Sequence, residues 1–149
     1  MPDTRTTSEG RVLIVDDESA IRLVCRLNLS SAGFETLEAG DGEGAVALAR
    51  AEQPDLILLD IMLPGMDGWG VAEQLAAAPE TREIPIVFLS ARSDRTDENR
   101  GHDLGGVGYI TKPFDPIELT DRVRDVIERV RRGERSELRR EWQDRIHHE

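Results

Sequence analysis

Five short apolar runs punctuate the chain: Val12 to Val15, Phe34 to Leu37, Leu56 to Leu59, Ile84 to Leu89 and Val107 to Ile110. Each has the length of a strand, and the third and fourth are apolar almost without interruption, as burial on both faces requires. Between them, residues 19–32, 42–52, 68–78 and 96–104 read as helices from apolar side chains at three- and four-residue spacing. A fifth helix is expected from Asp115, whose carboxylate can cap and whose neighbour Pro116 suits a first turn. Its apolar stripe is Leu119, Val123, Val126, Ile127 and Val130, and it should fray near Gly133.

This alternation predicts a parallel sheet with helices on both faces and right-handed crossovers. Five such units match the small flavodoxin-like doubly wound α/β architecture, strand order 2-1-3-4-5. A dinucleotide-binding sheet usually has six strands and a glycine fingerprint that is missing here. Beyond Gly133, Leu138, Trp142 and Ile146 recur every four residues and predict one more helical face. A helix that short is marginal alone in water and needs a surface. It would fold back, pair with another chain or begin a linker to an output domain. The expected organisation is therefore a tail at 1–10, one domain at 11–132 and an extension at 133–149.

Charge narrows the partners. Over 149 residues the formal net charge is −11 and the pI about 4.7, which opposes nonspecific binding to nucleic acid or to an anionic membrane. From Arg122 onward, nine arginines face seven acids, so the acidity lies in the first part of the chain. The extension is too short for a DNA-binding unit, so no direct nucleic-acid contact is expected. No run reaches the roughly 18 apolar residues of a membrane span and the start of the chain lacks an apolar leader, which points to the cytoplasm. The single cysteine, Cys25, lies among Ile21, Val24 and Leu27 and reads as a buried small hydrophobe.

In an open α/β sheet the reactive crevice lies beyond the carboxyl ends of the strands. Here those ends are Asp16 and Asp17, Asp60, Ser90 and Lys112, the last being the chain's one lysine against eighteen arginines. A flexible point charge on a long stem does what a rigid guanidinium fork cannot, so this lysine is singled out. Three carboxylates about 4 Å apart repel by roughly 4 kcal/mol per pair at an effective dielectric of 20. One ammonium does not balance them. Hard oxygen donors without His or Cys favour Mg²⁺ over zinc as the missing positive charge.

Four stretches carry a family resemblance: Val12 to Glu18 (VLIVDDE), Pro54 to Gly68 (PDLILLDIMLPGMDG), Phe88 to Arg92 (FLSAR) and Tyr109 to Phe114 (YITKPF). Together they resemble the receiver domain of two-component response regulators over roughly residues 11–132. The resemblance implies that Asp60 is phosphorylated by a histidine kinase or a histidine phosphotransfer protein. It also implies that Asp17 and Asp60 bind Mg²⁺ with the backbone carbonyl of Met62, that Asp16 assists through water, and that Lys112 contacts the phosphoryl group. Ser90 and Tyr109 match the switch pair, Ala91 leaves the phosphoryl group room, and the Lys112–Pro113 bond is expected to be cis.

Such a chain is a phosphorylation-controlled switch acting through a protein partner, with no catalytic turnover beyond its own phosphorylation and dephosphorylation. Its stand-alone form is the reading favoured here. A homodimer is left open, because Gly106, Val107 and Gly108 stand where acidic partners for Arg122 would be expected. Two other functions use the same chemistry. A Mg²⁺-dependent aspartyl-phosphate phosphohydrolase normally carries a second aspartate two residues after the nucleophile, where this chain has Met62. A receiver-like module that is never phosphorylated would have no need of the full acidic cluster and Lys112.

Overall fold

The computed structural model describes residues 8–92 and 94–148, so most of the tail expected at 1–10 lies outside the described residues. Five strands, β1 (Gly10–Val15), β2 (Phe34–Ala39), β3 (Leu56–Asp60), β4 (Ile86–Ser90) and β5 (Gly108–Thr111), form one parallel sheet in the order β2-β1-β3-β4-β5. The helices are α1 (Ser19–Ser31), α2 (Gly42–Glu52), α3 (Gly68–Ala77), α4 (Arg95–Asp103), α5 (Pro116–Arg131) and α6 (Arg135–His148). The expected flavodoxin-like order is the observed one.

Strand periodicity divides the interior into two cores. Leu13, Val15, Ile57, Leu59 and Phe88 point to the side packed by Val46 of α2 and by Trp69 and Leu75 of α3. Val12, Ile14, Leu56, Leu58 and Leu89 point to the side packed by Cys25 and Leu29 of α1 and by Leu119, Val123 and Ile127 of α5. Successive strand residues face opposite ways, so an uninterrupted apolar run serves both cores at once. The ladder continues past the strands, with Asp16 N–H donating to Ala39 O and Lys112 N–H to Ser90 O. That continuation brings the polar residues following β1, β3, β4 and β5 to one edge of the sheet.

Three sequence expectations shift. β4 begins at Ile86 rather than Ile84, because Ile84 closes a turn onto Thr81 O and Pro85 has no N–H for the ladder. In α1 the inward stripe runs through Cys25 and Leu29, while Val24 and Leu27 face solvent, 36% and 55% exposed. Cys25 is buried as expected, and that burial pushes its thiol up to about 12. The apolar spacing expected between Thr96 and Leu104 does not make a helix stripe, since α4 (RTDENRGHD) contains no large apolar side chain. Its start is set by Asp94, whose carboxylate accepts from Asp97 N–H at 2.8 Å. Its contact face is Gly101, where an added Cβ would lie 2.9 Å from the Phe88 ring.

The stripe expected at Leu138, Trp142 and Ile146 is helical and buried, each residue at most 7% exposed. The helix folds back onto its own chain, where α6 packs against α4, β5 and α5 and covers the sheet at its β5 edge. No helix among the described residues is long and apolar enough to cross a membrane.

Candidate functional site

Asp60 closes β3, a strand with every residue buried, and only 4% of its side chain is exposed. Its Oδ1 accepts the Met62 N–H at 3.0 Å, which turns the chain sharply just after the strand. The turn through Pro64 and Gly65 (φ +74°) ends at Gly68, whose N–H donates to Ile61 O at 2.9 Å. A Cβ on Gly68 would strike the Asp60 carbonyl oxygen and lie 2.7 Å from Ile61 Cα. Only a glycine lets α3 begin that close beneath β3. Asp67 then caps α3 by accepting from Gly70 N–H at 2.9 Å.

Lys112 reaches into the edge from the end of β5. Its Nζ donates to Asp16 Oδ2 at 2.7 Å and to Asp60 Oδ2 at 3.3 Å, with 14% of the lysine side chain and none of Asp16 exposed. The Lys112–Pro113 peptide is cis, as the resemblance implies. Burial raises the Asp60 carboxyl to about 6; the Met62 hydrogen bond opposes this, the Asp16 charge adds to it, and Lys112 opposes it. For Lys112, burial favours loss of the proton, but the hydrogen bond and charge of Asp16, joined by Asp60, outweigh it and the net shift is upward.

Among the described residues the carboxylates that could hold a metal together are Asp16, Asp17 and Glu18, whose oxygens lie within 4.8 Å of one another, and Asp60, expected as a ligand, is not in that set. Asp16 belongs to both this set and the Lys112 cluster, so the two groups adjoin. Asp16 is also braced from behind. Its Oδ1 accepts Glu18 N–H at 2.9 Å, and Arg22, itself paired with Glu38, donates to its backbone carbonyl at 2.6 Å. The donor set is all hard oxygen with surplus negative charge, which fits a small divalent cation such as Mg²⁺. Met62 meets Asp60 through its amide, and its side chain stands 59% exposed above the site.

Ser90, fully buried at the end of β4, accepts from Arg92 N–H at 3.0 Å, and the hydroxyl of Tyr109 donates to the Arg92 carbonyl. One peptide segment after Ser90 is thereby gripped from both ends. Tyr109 is 8% exposed with its ring inward, and burial raises the pKa of its hydroxyl.

The fold thus gathers Asp16, Asp60 and Lys112 by direct contact, sets Asp17 beside Asp16, and ties Ser90 to Tyr109 through Arg92. Sequence reasoning gave no role to Glu18, Arg22 or the Arg92 backbone. Glu18 carried a signal in its place directly after Asp16 and Asp17. Arg22 carried none, and the FLSAR stretch gave no sign of what the Arg92 backbone does, because these bonds are made to or by main-chain groups.

A model of the response regulator receiver domain matches residues 12–124. The transcriptional activator protein IrlR of Burkholderia pseudomallei is 43% identical over 129 residues, covering 87% of this chain and 55% of that protein. The DNA-binding dual master transcriptional regulator RpaA of Synechocystis is 43% identical over 122 residues, covering 82% and 51%. The chain spans about half the length of the curated relatives it matches. Among solved structures, the chemotaxis protein CheY4 of Vibrio cholerae superposes with a TM-score of 0.74 at 30% identity, covering 78% of this chain and 97% of that one. The receiver domain of the Francisella response regulator 1452 gives 0.76 at 30%, covering 81% and 98%.

Proposed function

The chain belongs to the response regulator receiver family, and from that premise we propose that Asp60 accepts a phosphoryl group from a phosphohistidine donor and that Ser90 and Tyr109 pass the change on. The observation that carries this reading is Lys112 Nζ lying between Asp16 and Asp60, 2.7 and 3.3 Å from their carboxylates. It places a movable positive charge against the one buried carboxylate that closes a central strand.

In the transfer, an Asp60 carboxylate oxygen bonds to phosphorus as the nitrogen–phosphorus bond of the donor breaks, and the leaving imidazole takes up a proton. Met62 N–H holds one Asp60 oxygen and so aims the other. Lys112 offsets the charge that builds on the phosphoryl oxygens. Asp16 and Asp17, with Asp60 and the backbone carbonyl of Met62, are the residues that would hold Mg²⁺, and Glu18 lies within reach of the first two. When bound there, Mg²⁺ supplies the charge neutralisation that lets a carboxylate attack an anion. Ser90 then donates its hydroxyl hydrogen to a phosphoryl oxygen, which biases the loop after β4.

The donor class is a histidine kinase or a histidine phosphotransfer protein. The surface of this domain meets protein rather than DNA, because a net charge of −11 opposes a phosphate backbone. The test is intact-mass analysis after incubation with acetyl phosphate, with and without Mg²⁺, of the native chain and of Asp60→Asn. Gain of one phosphate by the native chain only with Mg²⁺, and none by the variant, is the expected result. Equal gain by the variant would overturn Asp60 as the acceptor.

A further inference from the structure

α6 closes over the one face of the domain that touches Tyr109. Trp142, the largest fully buried side chain, lies tilted beside the Tyr109 ring with centroids 6.4 Å apart and edge-on to His102 at 5.3 Å, and its indole N–H donates to Glu98 at 3.1 Å. Arg139 adds two hydrogen bonds to the carbonyls of His102 and Gly106, at 2.9 and 2.7 Å, and its own carbonyl meets His102 Nε2 at 2.9 Å. The contacts are built for this face: indole, guanidinium and backbone each find a specific partner on α4 or the loop after it.

The Trp142 ring lies beside Tyr109 in the same apolar core, so a docked α6 helps hold the tyrosine ring in its buried position. Held inward, its hydroxyl keeps the Arg92 carbonyl, and Arg92 N–H keeps Ser90 Oγ. A hydroxyl that accepts from Arg92 still has its own hydrogen to donate. The docked state therefore holds Tyr109, the Arg92 peptide and Ser90 in one arrangement.

We propose that α6 is a cis-acting clasp energetically coupled to Asp60 through Trp142, Tyr109 and the Arg92 peptide. Docking of α6 favours a phosphoryl group on Asp60, and a phosphoryl group on Asp60 tightens the docking of α6. This rests on Asp60 being the acceptor. Two linked sites must affect each other by the same factor, whichever is occupied first. The hinge is Gly133 (φ +80°), the residue between α5 and α6 that can reorient the clasp as a unit. One consequence is that the face of α4, β5 and α5 is closed to a second copy of the chain until α6 leaves.

The test uses the full chain and beryllium fluoride with Mg²⁺, a reversible phosphoryl mimic, so that binding is read at equilibrium. In the native chain the backbone amides of residues 138–146 should exchange about five-fold or more slowly with the mimic bound. In Trp142→Ala the affinity for the mimic, measured by calorimetry, should fall by a similar factor, and Trp142→Phe should recover most of it. Arg139→Ala, which unfastens α6 without opening a core cavity, should weaken binding in the same direction and keep the domain folded. Unchanged affinity in both Trp142→Ala and Arg139→Ala, or faster exchange of α6 with the mimic bound, would overturn the coupling. No binding by the native chain, together with no phosphate gain from acetyl phosphate, would overturn the acceptor assignment and the clasp with it.

Discussion

At the carboxyl edge of the sheet, Lys112 stands between Asp16 and Asp60 with almost no contact with water, whereas at the α5–α6 junction Arg129 pairs with Glu134 and Glu141, whose side chains are 34% and 49% exposed. The first cluster is out of balance, with more carboxylate than ammonium, and burial, with the Asp16 charge adding to it, raises the Asp60 carboxyl to about 6. The second is matched, because Arg132 also pairs with Glu134 at 2.8 Å, and it is solvated. Buried charge out of balance costs stability that a ligand can return, while solvated pairs hold position and contribute little. One region is built to change its occupancy, the other to keep a helix in register.

The contrast can be broken first at Trp142. Trp142→Ala should lower unfolding stability by about 3–5 kcal/mol in urea titration, because the ring is fully buried and packed beside His102 and Tyr109. A loss no larger than that of a surface substitution would mean that α6 is not packed as described.

Asp60→Asn should act in the opposite direction. A carboxyl raised from 3.8 to about 6 binds its proton more tightly folded than unfolded, so its stabilising contribution is complete below about pH 4 and disappears as the pH climbs through about 6. In metal-free buffer at neutral pH the variant should therefore be more stable than the native chain, by roughly 2–3 kcal/mol. The slope of stability against pH between about 4 and 6 should flatten. An unchanged slope would place the electrostatic imbalance elsewhere.

Gly68→Ala should cost about 1–3 kcal/mol, since the added methyl meets backbone that cannot swing aside. It should also slow phosphate uptake by displacing Asp60, as read by intact mass over time. The smallest effect should come from Glu141→Ala at the exposed junction, where the urea midpoint should stay within error of native. A large shift there would erase the distinction between the two regions.

Much of this was legible in the sequence, for reasons that differ by element. The strands announce themselves because burial on both faces demands apolar residues at every position, as Leu56 to Leu59 show. The strand-end rule then finds Asp16, Asp60, Ser90 and Lys112 without any knowledge of their contacts. α4 was read at 96–104 and lies at Arg95–Asp103, but its packing was hidden, because a helix whose contact face is Gly101 has no apolar stripe to read. The stripe at Leu138, Trp142 and Ile146 was visible, but not its landing place, which depends on the groove that α4, β5 and α5 form only once folded. The bracing by Arg22 and the double grip on the Arg92 peptide were hidden for a related cause: hydrogen bonds to main chain impose no residue type on the partner.

The most direct test is to locate the phosphoryl group itself. After incubation with acetyl phosphate and Mg²⁺, borohydride reduces an acyl phosphate to an alcohol, converting a phosphorylated aspartate to homoserine that tandem mass spectrometry can place in the sequence. Homoserine at position 60 alone is the expected result, and homoserine at Asp16, Asp17 or any other carboxylate in its stead would contradict the assignment of this site.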